Sequence, residues 1–134
     1  MEYSDLVGVP FKYGGRDSAG MDCWGVVVAV YRALGIGVED VGEYDAVLAT
    51  DANPVFERVR TQAWHPAREP YEPYDVLLYA GGCCGTAATH CAVYIGRGRM
   101  LHALQGRGVV ISRVRSFPKR LLGAWRHEAL VCHA

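Results

Sequence analysis

Apolar residues follow two different spacings along this chain of 134 residues, and this change of spacing limits the possible folds. Near the N-terminus they recur three or four residues apart, which predicts one helical face made by Cys23, Val26, Val27, Val30 and Leu34. From Asp75 onwards they form short runs, most of them separated by glycines, as in antiparallel strands. Because helical and strand-like segments are segregated, we predict an α+β domain.

The expected boundaries follow from capping residues and turn residues. The first helix is predicted to begin after Asp22, a good capping type, and to end at Gly35 and Gly37. A second short helix is predicted over 54–62, followed by a proline-rich connector over 64–73. The strand candidates are Val76–Tyr79, His90–Ile95, Met100–Leu104, Val109–Val114 and Gly123–Ala129. We therefore predict one domain over residues 1–134, with N-terminal helices packed on an antiparallel meander sheet.

Composition argues against several classes of protein. The 14 basic and 14 acidic side chains cancel, unlike in proteins that bind nucleic acid mainly through charge. The longest apolar stretch, Val26 to Tyr31, is too short to cross a bilayer, and the first residues lack the pattern of a signal peptide. We expect synthesis in a cytoplasm and no membrane insertion. The five cysteines lack Cys-x-x-Cys spacing, so no metal is expected, and zinc is a disfavoured alternative at Cys83, Cys84, His90 and Cys91.

Cys23 falls in the predicted first turn of the helix. Unpaired N–H groups and the positive end of the helix dipole stabilise a thiolate there, and the same N–H groups suit an oxyanion. Simple burial is the alternative for a cysteine at this position. A thiolate nucleophile usually has an imidazole partner, and His90 and His102 lie on consecutive strand candidates. The other histidines are interpreted as structural or solvated, namely His65, His127 and His133.

The turn between these two strands decides whether both histidines can act together. A three-residue loop over 96–98 pairs Ile95 with Arg99. This register places His90 diagonal to His102 on the same face, within reach of two imidazole rings. A two-residue loop would put His102 on the opposite face unless a bulge intervened. The hypothesis of a catalytic triad therefore depends on this register.

The roles in such a triad follow from general cysteine-peptidase chemistry. Cys23 attacks the scissile carbonyl, His90 forms an ion pair with the thiolate and protonates the leaving amine, and His102 orients His90. Tyr13, upstream of the nucleophile, carries a phenol that suits an oxyanion or a substrate, with aromatic packing as the alternative. Asp22 and Trp24, on either side of the nucleophile, are candidate substrate-binding residues.

Four segments carry a resemblance to a known family. They are Tyr13-Gly14-Gly15-Arg16-Asp17, Met21-Asp22-Cys23-Trp24-Gly25, His90-Cys91-Ala92-Val93-Tyr94-Ile95-Gly96 and Leu101-His102-Ala103. In this order they resemble the NlpC family of papain-like cell-wall peptidases, over roughly residues 7–127. The resemblance implies a papain-like fold, Cys23 as nucleophile, His90 as base, His102 as third member and Tyr13 beside the nucleophile. It also implies hydrolysis of a peptidoglycan stem-peptide amide, typically between D-glutamate and diaminopimelate, without a metal or organic cofactor.

Two further segments resemble the branch of this family found in tail genes of phages and prophages. They are Asp22-Cys23-Trp24-Gly25 and Leu122-Gly123-Ala124-Trp125-Arg126. This resemblance implies a virion tail-associated hydrolase, with peptidoglycan and other tail proteins as partners. A non-catalytic tail-assembly protein on the same fold and a thiol acyltransferase remain alternatives. The sequence departs from the family pattern at Tyr74, where relatives often have glycine, and in the loop over 81–89.

Overall fold

The structure is a computed structural model that describes residues 3–38, 63–80 and 88–131, the side chains of 88 and 89 excepted. Its elements are β1 (Arg16–Asp17), β2 (Gly20–Met21), α1 (Cys23–Ala33), β3 (Trp64–Ala67), β4 (Val76–Ala80), β5 (Ala88–Gly96), β6 (Arg99–Leu104), β7 (Gly108–Arg113) and β8 (Leu121–His127). Short 3-10 turns lie at Tyr3–Leu6, Val114–Ser116 and Glu128–Leu130. The helix predicted over 54–62 falls outside the described residues.

Six strands form one antiparallel sheet in the order β3-β8-β4-β5-β6-β7. The predicted meander is confirmed for β4 to β7, which pair in chain order. The last strand departs from it, because β8 returns to pair with β4 on one side and β3 on the other. One apolar core lies between α1 and the sheet, and a smaller one includes Leu77, Tyr79 and Met100. The α+β prediction is confirmed.

Helix α1 begins and ends as its capping residues predict. Asp22 is the N-cap, and Gly35 follows the C-cap with a φ of 77°. Burial extends beyond the predicted stripe, since every residue from 23 to 31 is buried. Leu34, predicted to belong to the buried face, is 38% exposed because the helix has already ended at Ala33. No helix in the described ranges has both the length and the apolar character needed to cross a membrane.

The proline-rich connector predicted over 64–73 is partly wrong, because its first four residues form strand β3. Pro66 lies within this strand, opposite Trp125 of β8. A proline lacks an N–H donor, so within sheets it is confined to edge strands, first positions and bulges. Strand β3 is the edge of the sheet, which makes the proline compatible with pairing.

The β5–β6 hairpin has the predicted register from Tyr94 and Met100 onwards, but the predicted loop and the predicted pairing of Ile95 with Arg99 are wrong, because Arg99 pairs with Gly96. The turn contains only Arg97 and Gly98, whose φ values of 55° and 74° match the tight hairpin turn that needs two left-handed residues. A register shift between Tyr94 and Gly96 leaves one extra residue in β5, a bulge. The bulge compensates for the shorter turn, so Tyr94 pairs with Met100 as the three-residue loop predicted.

Candidate active site

Cys23 is the first residue of α1, and Asp22 fixes the segment that carries it. The Asp22 carboxylate is fully buried, and its Oδ1 accepts hydrogen bonds from the Gly25 N–H at 2.8 Å and Arg16 Nη1 at 2.7 Å. Its Oδ2 accepts from the Gly14 N–H at 2.8 Å. One carboxylate therefore caps the helix and ties it to the preceding loop, as an N-cap aspartate does.

The glycine of the Asp-Cys-Trp-Gly segment is required by close packing. A Cβ added at Gly25 would lie 2.3 Å from the carbonyl oxygen of Gly15. The same carbonyl accepts a hydrogen bond from Arg16 Nη1 at 2.8 Å. The loop thus packs directly on the first turn of α1, which only a residue without a side chain permits at position 25.

Both predicted histidines lie in one hydrogen-bonded chain that ends at a serine. His90 Nε2 is 2.8 Å from His102 Nδ1, and His102 Nε2 is 2.8 Å from Ser112 Oγ. Burial, helped by the charges of His90 and Arg107, lowers the pKa of His102 to about 3. His102 is therefore a neutral imidazole at physiological pH, with one donor and one acceptor nitrogen. His102 therefore links His90 to Ser112 through one nitrogen that donates and one that accepts.

Aromatic rings shield this imidazole pair. The Phe117 ring lies 5.5 Å from the ring of His90 and 5.0 Å from that of His102, between ring centroids. The ring centroid of Tyr79 lies 6.1 Å from that of His90 and 4.8 Å from that of Phe117. These rings fix the orientation of both imidazoles and reduce their contact with solvent.

The neighbours of Cys23 strongly acidify its thiol. A side-chain hydrogen bond with Cys91 is the largest cause, and the hydrogen bond and charge of His90 add to it against the effect of burial. Together they lower the pKa of Cys23 from 9.0 to about 5. Burial, and then Cys23 itself, raises the pKa of Cys91. At neutral pH Cys23 is therefore a thiolate, and Cys91 keeps its proton and donates to it.

The structure gives the remaining candidate residues clear positions. The Tyr13 hydroxyl donates to Gln105 Oε1 at 3.0 Å, and its ring packs edge-on against Phe11 at 4.7 Å. Trp24 is 1% exposed, and its ring lies 6.3 Å from that of Trp64. Both oxygens of buried Asp22 accept hydrogen bonds from the protein itself. A catalytic role for Tyr13 and substrate contact by Asp22 and Trp24 stay predictions.

The other histidines that the structure describes occupy positions away from this chain. His65 is exposed on β3, 4.0 Å from Glu128. His127 is 8% exposed, and its Nδ1 accepts a hydrogen bond from the Ala129 N–H at 3.0 Å. No set of three potential metal ligands was found within residues 3–38, 63–80 and 88–131. The candidate zinc ligands Cys83 and Cys84 lie outside those ranges.

Three residues of the site were not predicted from the sequence: Ser112, Phe117 and Cys91. Ser112 is a polar residue that follows the apolar run Val109–Ile111 in β7, and that pattern was the available signal. Its role becomes visible only with the β6–β7 register, which pairs His102 with Val110 and puts Ser112 diagonal to it. Cys91, which the sequence offered only as a disfavoured zinc ligand, interacts with Cys23.

Comparisons with known proteins identify relatives of this chain. The chain is 29% identical over 116 residues to the gamma-DL-glutamyl hydrolase of Bacillus subtilis (strain 168), which covers 85% of this chain and 25% of that protein. It is 26% identical over 111 residues to murein DD-endopeptidase MepS/murein LD-carboxypeptidase of Escherichia coli (strain K12), a match that covers 83% of this chain and 50% of that protein. The chain thus spans a quarter to a half of these curated relatives.

A solved structure supports the fold independently. The crystal structure of an NlpC/P60 family protein from Bacillus cereus superposes with a TM-score of 0.69 at 23% identity, over 93% of this chain and 37% of that one. At this identity the likeness establishes the papain-like fold of that family. The sequence model of the NlpC/P60 family matches residues 8–126, which include every residue of the site described above. This chain is a member of the NlpC/P60 family.

Proposed function

We propose that this protein is a cysteine peptidase that hydrolyses amide bonds in the stem peptides of peptidoglycan. The observation that carries the proposal is the chain from His90 through His102 to Ser112, with contacts of 2.8 Å, together with the neighbouring Cys23 thiol, whose pKa is lowered by Cys91 and His90. It joins an acidified thiol at a helix N-terminus to an oriented imidazole, which is the arrangement that nucleophilic thiol catalysis needs. The names of the relatives, a glutamyl hydrolase and a murein endopeptidase, support the class of substrate.

The proposed reaction has two steps. The Cys23 thiolate attacks the carbonyl carbon, and the backbone N–H groups of the first turn of α1 stabilise the oxyanion. Because Nε2 of His90 is engaged by His102, Nδ1 faces the thiolate and delivers its proton to the leaving amine. His90 then removes a proton from water, which attacks the thioester, releases the carboxylate and restores the thiolate. His102 and Ser112 hold the His90 ring throughout.

The bond between D-glutamate and diaminopimelate is the proposed point of cleavage. Its support is the family resemblance of the segments around Cys23, His90 and His102. The relatives carry names that specify different bonds, γ-glutamyl in one and DD- or LD- in the other. The products of the reaction therefore have to be identified directly.

We also propose that the protein acts from a phage or prophage tail. The support is the Asp22-Cys23-Trp24-Gly25 segment and the segment over 122–126, which resemble the tail branch of the family. In that setting the chain is made in the host cytoplasm and reaches the next cell's wall with the particle. Mass spectrometry of purified particles from a strain carrying the gene tests this placement. Particles that lack the protein would contradict it.

The hydrolase proposal is tested by incubating reduced, metal-free protein with peptidoglycan that contains diaminopimelate. Mass spectrometry of the products should show new stem-peptide fragments that are absent with Cys23→Ala and reduced at least 100-fold with His90→Ala. His65→Ala is the matched control, because His65 is an exposed histidine on β3, and it should cleave normally. Fragments formed by purified Cys23→Ala at the normal rate would overturn the proposal.

A further inference from the structure

Four arginines surround one cavity at the turn end of the β5–β6 hairpin. Arg97 and Arg99 come from the hairpin, and Arg113 and Arg115 come from the end of β7 and the 3-10 turn after it. We call this cavity the arginine pocket. Its volume is about 720 Å³, which lies in the range of pockets that bind small molecules.

Two of these arginines are direct neighbours across the sheet. Arg99 of β6 pairs with Arg113 of β7, and like charges directly opposite each other destabilise a sheet. Glu69 also lines the pocket. Even so, no carboxylate in the described parts of the chain lies within 4.0 Å of the four guanidinium groups. The described residues therefore leave this repulsion uncompensated.

Arg99 also carries an unused donor. Its Nε is buried and has no hydrogen-bond partner among the residues that the structure describes. An unpaired buried donor costs free energy, and a carboxylate is the acceptor that best matches the planar guanidinium fork. The rings of Tyr71 and Tyr94, 5.8 Å apart, line the same pocket and offer apolar contact to the carbon chain of a ligand.

The arginine pocket borders the catalytic residues through one shared side chain. Arg113 also lines a neighbouring cavity of about 390 Å³ together with Ser112 and Phe117. Ser112 is bonded to His102, and Phe117 covers both imidazoles. The arginine pocket and the cavity beside Ser112 and Phe117 therefore adjoin at Arg113.

We propose that the arginine pocket binds free carboxylate groups of the same peptide chain whose amide bond Cys23 attacks. This inference rests on the proposed function, because stem peptides containing D-glutamate and diaminopimelate carry several carboxylates. Occupation by a carboxylate neutralises the Arg99–Arg113 pair that lines the pocket. The pocket therefore selects stem peptides whose carboxylates are free over those in which they are amidated.

Calorimetric titration of the inert Cys23→Ala protein tests the pocket separately from catalysis. The probes are a stem tripeptide, L-alanyl-γ-D-glutamyl-diaminopimelate, and its fully amidated analogue. Arg99→Gln should weaken binding of the free-acid peptide about 10-fold or more, and addition of Arg113→Gln should weaken it further. Arg32→Gln is the matched control, since it removes the same charge from an exposed position on α1, and it should change affinity less than about 2-fold.

Each outcome decides the inference. Weak binding of the amidated peptide that is insensitive to Arg99→Gln supports it. Unchanged binding of the free-acid peptide by folded Arg99→Gln/Arg113→Gln protein overturns it. Tighter arginine-dependent binding of a glycerol phosphate oligomer would assign the pocket to a phosphodiester chain instead and would also overturn it. Failure of the hydrolase proposal shows up elsewhere, as absence of cleavage by protein that retains Cys23.

Discussion

Cys91 lies beside Cys23, at a position where an apolar residue would serve packing equally well. It is fully buried, and its thiol shares a hydrogen bond with Cys23. A weak donor next to an anion stabilises that anion, and its effect is greater where water is excluded. The pKa of Cys23 is therefore lowered from two sides, by a second thiol and by the imidazole of His90.

Replacement of Cys91 should make Cys23 less acidic. In Cys91→Ala the hydrogen bond is lost, so the pKa of Cys23 should rise from about 5 by one unit or more. Cys91→Ser keeps a donor at the same place and should shift the pKa less. The rate of iodoacetamide alkylation against pH, followed by mass spectrometry on the Cys23 peptide, reports this value. Superimposable profiles for the wild type and Cys91→Ala would contradict the expectation.

Tyr74 explains the departure from the family pattern at the residue before Asp75. Its φ is 77°, a left-handed conformation that favours glycine. The backbone is held there because the Tyr74 N–H donates to the Tyr94 carbonyl at 2.7 Å and its own carbonyl accepts from the Tyr31 hydroxyl. The glycine of the family pattern adopts this left-handed conformation without strain, whereas this chain adopts it with a tyrosine.

A matched pair of variants isolates this conformational cost. Tyr74→Gly and Tyr74→Ala both remove the ring, but only glycine adopts the left-handed conformation without strain. Tyr74→Gly should therefore be more stable than Tyr74→Ala by about 1 kcal/mol. Denaturant unfolding of both proteins measures the difference, and an alanine variant as stable as the glycine variant would refute the explanation.

At the scale of elements, α1 and its preceding loop act as one unit through Asp22. Removing its carboxylate takes away the ion pair with Arg16 and the cap of the first turn. Asp22→Ala should lower the free energy of unfolding by roughly 3 kcal/mol. Asp22→Asn should cost less, because its amide oxygen still accepts from the Gly25 N–H. Urea unfolding tests both, and a loss below about 1 kcal/mol for Asp22→Ala would show that the cap is dispensable.

Elements set by local interactions were predictable from the sequence, and those set by distant pairing were not. The start of α1 follows from one capping residue and a helical period, both readable within a single turn. The placement of His90 and His102 on one face was predicted from a hairpin register. The hairpin reaches that register with a two-residue turn and a bulge in β5. Strand β3 and the position of β8 depend on pairing between residues 64–67 and 124–127, which no local pattern encodes. Ser112 was missed for the same reason.

At the scale of the whole molecule, the buried neutral His102 makes folding depend on pH. The unfolded chain binds a proton here below pH 6.5, whereas the folded protein does so only near its lowered pKa of about 3. The free energy of unfolding should therefore fall as the pH is lowered from 6.5 to about 3, by up to about 1.4 kcal/mol per pH unit from this group. Below pH 3 this group should cause no further loss.

The variant His102→Gln isolates this contribution from that of the carboxylates. Glutamine does not titrate, so the free energy of unfolding of the variant should decline less steeply between pH 6.5 and 3 than that of the wild type. Guanidinium unfolding at half-unit pH intervals gives both slopes. Equal slopes would mean that His102 is protonated in the folded protein at the same pH as in the unfolded chain.

The groups of the catalytic chain are widely spaced in sequence: Cys23 belongs to α1, His90 to β5, His102 to β6 and Ser112 to β7. During synthesis Cys23 therefore leaves the ribosome first, and Ser112, which is bonded to His102, leaves it much later. Until β7 joins the sheet, the emerging polypeptide carries an ordinary thiol that is largely protonated in the cell. If the protein hydrolyses peptides as proposed, we expect this activity to arise late and abruptly during synthesis, so that unfinished chains do not have it.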